Sequence, residues 1–301
     1  MNELLKVDHL TVDFSTDQGT VHAVRDVSFC VYPQEVLGIV GESGSGKSQT
    51  MYSVMGLLAD NGKITAEDIL FDGKKIHESA FKNHAEYEKT MRHIRGNDMA
   101  MIFQDPMTFL NPVLKIGTQL IEPLQNHTKM SKKECEQKAI ELMRQVGIPS
   151  PEKRMNQYPY EFSGGMRQRI IIAMALACNP KLIIADEPTT ALDVTIQAQV
   201  LELIQDMKEK LGSSVIMITH DLGVVASLCN RIAIMYGGKI VEIGTDKEIF
   251  YDPKHPYTQG LLNCINNPED DDKDLQPIPG SPPDLLNPPK GCPFVDRCEK
   301  A

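Results

Sequence analysis

The stretch Gly41-Glu42-Ser43-Gly44-Ser45-Gly46-Lys47-Ser48 has the residue types and the spacing, G-x-x-x-x-G-K-S, of a loop built to hold phosphate. Its glycines let successive backbone N–H groups turn inward around phosphate oxygens, and a helix beginning at its end adds a positive dipole. Lys47 can reach the β- and γ-phosphates of a nucleotide, and the Ser48 hydroxyl can ligate Mg²⁺. The motif has this meaning only between a strand and a helix. Here the apolar run Val36-Leu37-Gly38-Ile39-Val40 precedes it, and the helix-competent stretch Gln49 to Leu58 follows. Gly41, Glu42, Ser43, Gly44, Ser45, Gly46, Lys47, Ser48 and Gln49 are therefore the candidate nucleotide contacts.

A second chemical stretch is Leu182-Ile183-Ile184-Ala185-Asp186-Glu187, an apolar strand that ends in two carboxylates. Burying such a strand end is costly unless the acids bind something. Asp186 suits the Mg²⁺ shell, and Glu187 suits orientation and deprotonation of an attacking water. Gln104 ends another short strand, where an amide contacts Mg²⁺ or the attacking water, or stands as a plain surface glutamine. His220 ends the strand Val215 to Thr219, as a γ-phosphate partner or a structural histidine. Ser163-Gly164-Gly165-Met166 precedes a helix. It reads as a second anion site or as an N-cap with a flexible turn. One chain needs one phosphate site, so a second suggests action on another subunit's nucleotide. Phe14, at the end of the first strand, stacks either on a nucleobase or in the core.

The elements that must position these groups are legible in outline. Leu5 to Phe14 and Val21 to Tyr32 read as a hairpin around Asp17-Gln18-Gly19. Ile69 to Phe71, Met99 to Phe103, Leu182 to Ala185 and Val215 to Thr219 read as strands, and Arg231 to Tyr236 with Lys239 to Ile243 as a second hairpin. From Val113 to Tyr160 the apolar residues recur at helical spacing (Ile116, Leu120, Leu124; Ala139, Leu142, Met143, Val146), which predicts an inserted helical subdomain at about 105–165. Helices are predicted from Ser163 to about Cys178 and from Val194 to Leu211, the latter closed by Gly212. Strands alternating with helices predict an α/β fold with a mainly parallel, covered sheet and an antiparallel β subdomain. Prolines gather after Pro253, at Pro277, Pro279, Pro282, Pro283, Pro288, Pro289 and Pro293, with an acidic run at Glu269 to Asp272. The predicted domains are thus 1–251 and a C-terminal extension, 252–301, with little regular structure.

The chain has 301 residues, 41% hydrophobic and 24% charged, which are ordinary globular values. Its net charge of −10 argues against nucleic acid as a partner. The longest uncharged apolar stretch, Ile170 to Cys178, is too short to span a bilayer, and the N-terminus shows no secretory signal. Seven cysteines, an odd and scattered set, read as reduced thiols. The expectation is a cytosolic chain held at a membrane through other proteins.

Taken together and in this order, these pieces resemble the P-loop ATP-binding subunit of an ATP-binding-cassette transporter, over nearly the whole chain. The set comprises the phosphate loop, Gln104, the signature Phe162-Ser163-Gly164-Gly165-Met166, the Asp186-Glu187 strand, the Ala191-Leu192-Asp193 loop and His220. The chain is most similar to the peptide-importer branch (oligopeptide, dipeptide and nickel systems), and there to the first of two ATPase subunits, the oligopeptide-permease D type. Phe103-Gln104-Asp105-Pro106-Met107-Thr108, His255 to Leu262 and Pro279 to Leu285 carry that closer match. The resemblance implies ATP and Mg²⁺ as cofactors and a head-to-tail pairing with a second, related ATP-binding subunit. It also implies two membrane permease subunits received by the helical subdomain, an extracytoplasmic solute-binding protein, and a peripheral place on the cytoplasmic face of the membrane. Oligopeptide, dipeptide and nickel stand as solutes in that order.

The chain departs from the family at Phe162, where leucine is usual, at Met166, where glutamine is usual and adds a polar contact to ATP, and at Phe109, where the branch often has serine. The segment Gly291 to Cys298 resembles one that binds a four-iron four-sulfur cluster in some members. Cys292 and Cys298 would supply only part of the four thiolates usually needed, so a cluster and two free thiols both stay open. Because the motif breaks off at Ala301, the natural chain is expected to run further.

Overall fold

The computed structural model describes residues 2–190, 193–264 and 278–301. In chain order the elements are β1 (Leu5–Thr16), β2 (Gly19–Val31), β3 (Val36–Val40), α1 (Lys47–Met55), β4 (Gly62–Thr65), β5 (Asp68–Phe71), β6 (Lys74–Lys75), α2 (His84–Ile94), β7 (Met99–Ile102) and α3 (Pro106–Phe109). There follow α4 (Ile116–His127), α5 (Lys132–Gln145), α6 (Pro151–Arg154), α7 (Gly164–Leu176), β8 (Leu182–Asp186), α8 (Val194–Leu211) and β9 (Ser214–Thr219). The chain ends with α9 (Leu222–Leu228), β10 (Arg231–Tyr236), β11 (Lys239–Thr245), α10 (Asp246–Tyr251) and α11 (Pro256–Asn263). They fall into two compact units, residues 1–82 with 217–301, and residues 83–216.

In the first unit β1 and β2 form the predicted antiparallel hairpin, and β1 pairs on its other side with β4 and β5. The alternation of β1 buries Leu5, Val7, Leu10 and Val12, which is why the strand forms at all. β3 is buried along its whole length, as a strand covered on both faces must be, and runs parallel to β10 with Leu37 opposite Arg231 and Val40 opposite Ile234. β10 and β11 form the antiparallel hairpin around Gly237-Gly238.

Residues past 252 carry a helix that the proline-rich composition did not announce. Pro256 occupies the first turn of α11, and the His255 ring accepts a hydrogen bond from the Tyr257 N–H at 3.1 Å as its cap. Tyr257 is fully buried between the rings of Tyr236 and Phe294, with centroids 4.4 and 5.4 Å away. The proline-rich tail is thus packed into the first unit. The acidic run Glu269 to Asp272 and Pro277 lie outside the described residues.

In the second unit β7 and β8 are parallel, with Met99 opposite Leu182 and Ile102 opposite Ala185. From Gln104 to α7 the described residues form helices and turns. α4 buries Ile116, Leu120, Ile121 and Leu124; α5 buries Cys135, Ala139, Leu142 and Met143, close to the apolar positions read from spacing. Ser131 and Glu134 cap α5 reciprocally, which fixes its start. α8 starts at Asp193, whose carboxylate accepts from the Ile196 N–H at 3.0 Å, and stops at Gly212 with φ 66°. β9 carries the chain from the second unit back into the first.

Candidate nucleotide-binding and hydrolysis site

The phosphate loop leaves β3 and enters α1 through Gly46, whose φ of 98° only glycine adopts without strain. A Cβ there would also stand 2.4 Å from the Ala23 carbonyl. At Gly41 the restriction is contact, since a Cβ would lie 2.0 Å from the Met235 carbonyl oxygen. Lys47 is buried and donates to the carbonyls of Gly41 (2.8 Å) and Glu42 (2.9 Å), so its ammonium closes the loop on itself. The loop is therefore held closed on itself by its own ammonium before any anion is bound.

Glu42 has partners that the sequence did not announce. Its N–H donates to the Tyr257 hydroxyl at 3.0 Å. Its carboxylate accepts from one Arg297 nitrogen, at 3.1 Å to each oxygen. The same nitrogen donates to the Tyr236 hydroxyl at 3.0 Å. Burial pushes the Tyr257 phenol well above its ordinary range, which keeps it neutral in this contact.

In the second unit the carboxylates stand at the end of β8. Asp186 is buried, and Glu187 follows with φ 44°, a left-handed conformation rare for glutamate. One Glu187 oxygen accepts from the Gln104 amide at 2.9 Å and from the Thr190 hydroxyl at 2.9 Å. Gln104 and Glu187, predicted separately, are thus brought together. Thr190 escaped the sequence reading, although its place three residues after a strand-ending glutamate was a usable signal.

The signature serine caps α7, its Oγ accepting from the Met166 N–H at 3.4 Å. A Cβ on Gly165 would meet Ile196 at 2.9 Å, whereas one on Gly164 would meet nothing within 4 Å. Gly164 therefore faces open space, in a cavity of about 520 Å³ that Ser163, Gly165, Met166, Arg169 and Asp193 also line. Phe162 is buried, with the Arg154 guanidinium 5.3 Å over its ring. Asp193 caps α8, while Ala191 and Leu192 of the same loop lie outside the described residues.

His220 is exposed at the end of β9. Asp221, beside it, caps α9 through the Gly223 N–H at 2.8 Å and so fixes the turn that carries the histidine. Phe14 is half-buried in β1, where a Cβ on Gly62 would meet its ring at 2.9 Å, so one edge of the ring is packed. Ser48 and Gln49 lie half-buried in the first turn of α1.

Among the described residues the cysteine pair is not joined by further metal ligands. Cys292 Sγ lies 3.5 Å from the His255 ring, and among the described residues no three His, Cys, Asp or Glu side chains gather to hold a metal. Four thiolates are the usual requirement for such a cluster.

A family model described as ABC transporter matches residues 24–190, and one described as Oligopeptide/dipeptide transporter, C-terminal region, matches residues 241–301. The chain is 55% identical over 299 residues to the dipeptide transport ATP-binding protein DppD of Bacillus subtilis, covering 99% of this chain and 87% of that one. It is 54% identical to the oligopeptide transport ATP-binding protein OppD of the same organism, covering 100% and 83%. Among solved structures it resembles a dimeric post-hydrolysis state of the ATP-binding cassette MJ0796 bound to ADP and Pi. There the TM-score is 0.68 at 27% identity, over 80% of this chain and 98% of that one. The chain belongs to the ABC transporter family, as one of its ATP-hydrolysing cassettes.

Proposed function

We propose that this chain powers a peptide importer. The observation that carries the reading is the match of residues 241–301 to the C-terminal region of oligopeptide and dipeptide transporters, supported by relatives named for those solutes. Oligopeptides come first and dipeptides second; nickel has no support among these relatives.

In this reading Gly41 to Ser48 and Gln49 hold the ATP phosphates, and Phe14 stacks on the base. Glu187 takes the proton of the attacking water, and Gln104 orients that carboxylate through the bond described above. His220 steadies the γ-phosphate. The oxygen donors Ser48, Gln104 and Asp186 suit Mg²⁺, a hard cation. When bound, it neutralises charge on the β- and γ-phosphate oxygens. The open face at Ser163 to Met166 serves the nucleotide of a second ATP-binding subunit, head to tail. A dimeric cassette among the structural relatives supports that arrangement.

Two membrane permease subunits and an extracytoplasmic binding protein complete the assembly, at the cytoplasmic face of the membrane. No described helix is long and apolar enough to cross a membrane, so attachment through permeases fits. The test is gentle solubilisation of native membranes, capture of this chain and mass spectrometry of what accompanies it. Two permeases, a second ATPase and a peptide-binding protein are expected. Recovery with ribosomes, or with no membrane protein, would overturn the reading.

A further inference from the structure

The Arg297 guanidinium is almost enclosed, its side chain 7% exposed, and its nitrogens reach two parts of the chain at once. Nε and one Nη donate to the carbonyls of Pro279 (2.7 Å) and Ile278 (3.0 Å), both in the C-terminal extension. The other Nη grips Glu42 and Tyr236. The rings of Tyr236 and Phe294 lie 5.6 and 5.8 Å from the guanidinium carbon and hold it in place. Tyr257, also in the extension, takes the Glu42 N–H. Both the backbone and the side chain of one phosphate-loop residue are therefore held from more than two hundred positions along the chain.

The charge arithmetic gives this contact a purpose. A phosphate loop receives a polyanion, and Glu42 places a carboxylate in it. One uncompensated charge about 10 Å from a phosphate near a protein surface changes binding by about tenfold. The guanidinium cancels that charge and turns the carboxylate toward the extension. One nitrogen spans both carboxylate oxygens while the other two hold carbonyls of the extension, a division that needs arginine's three nitrogens.

We infer that Arg297 is a positioning residue for ATP: it neutralises Glu42 and draws its carboxylate out of the phosphate loop, so that the C-terminal extension sets nucleotide affinity. The inference rests on Gly41 to Ser48 holding the ATP phosphates. It also moves Glu42 from a phosphate contact to an anchor.

The test is equilibrium titration of the full purified chain with a fluorescent ATP analogue, since the chain has no tryptophan to report binding. Arg297→Ala should bind about tenfold more weakly and Arg297→Lys by an intermediate amount. Adding Glu42→Gln to Arg297→Ala should return affinity to within about threefold of the parent, because the offending charge is gone. Loss of packing alone would not be repaired by that second change. A double variant as weak as Arg297→Ala, or Arg297→Ala binding like the parent while Lys47→Ala fails to bind, would overturn the inference and spare the phosphate-loop reading. Lys47→Ala binding like the parent would overturn both.

Discussion

Glu187 carries a conformation that glutamate rarely adopts, φ 44°, directly after the buried Asp186. Holding a non-glycine residue there costs of order 1–3 kcal/mol and persists only where the surroundings over-determine it. Here Gln104 and Thr190 do so, through two hydrogen bonds to one carboxylate oxygen. The strain aims the carboxylate rather than stabilising the strand. Glu187→Gln keeps the shape and removes the base. In the assembled transporter, ATP turnover should fall on the order of 10²-fold or more while ATP binding is retained. Steady-state hydrolysis beside nucleotide titration measures both, and turnover near that of the parent would reject Glu187 as the base.

Elements decide which glycines matter, and two of them give a contrast. β10 runs so close to the loop after β3 that a Cβ on Gly41 would sit 2.0 Å from the Met235 carbonyl, a backbone atom with little freedom to move. Gly41→Ala should therefore destabilise the fold by roughly 2 kcal/mol or more, by overpacking. Gly164 opens α7 with nothing within 4 Å of its Cβ position. Gly164→Ala should change stability by no more than about 0.5 kcal/mol, since alanine also suits a helix. Urea unfolding of the two variants separates the cases. Equal losses would show that packing, and not an open binding face, keeps glycine at 164.

At the scale of the whole molecule, burial sets the response to acid. His77, His127 and His255 all have depressed proton affinity, burial being the largest cause in each. For His255 the nearby Glu242 carboxylate pulls the other way and does not prevail. A histidine whose folded pKa lies below its ordinary 6.5 binds fewer protons folded than unfolded. Its stability is complete above that value and is lost as pH falls below it. Protonating His255 would also take away the acceptor that caps α11. Exposed His9, hydrogen-bonded to Asp26, shifts upward and opposes the trend only weakly. Tm should therefore fall as pH drops from 7.5 toward 5.5, and fall less in His255→Asn, which keeps a cap without a titrating ring. A scanning-fluorimetry series over pH checks this, and identical slopes would remove His255 from the account.

By itself the sequence determined what is contiguous. The strand, glycine loop and helix from Val36 to Met55 follow from local spacing, as do the apolar faces of α4 and α5 and the Asp193 and Gly212 ends of α8. These depend on dihedral preference and periodicity within a few residues, which neighbours in the chain carry with them. α2 and α11 were less legible, because α2 is mostly polar and charged and buries only Tyr87, Met91 and Ile94, while α11 is short and proline-flanked. Only the tertiary structure decided which distant groups meet: Gln104 with Glu187, Gly41 against the Met235 carbonyl, and Glu42 with Tyr257 and Arg297. Such meetings depend on loop closure and packing across the whole chain, and no local preference encodes them.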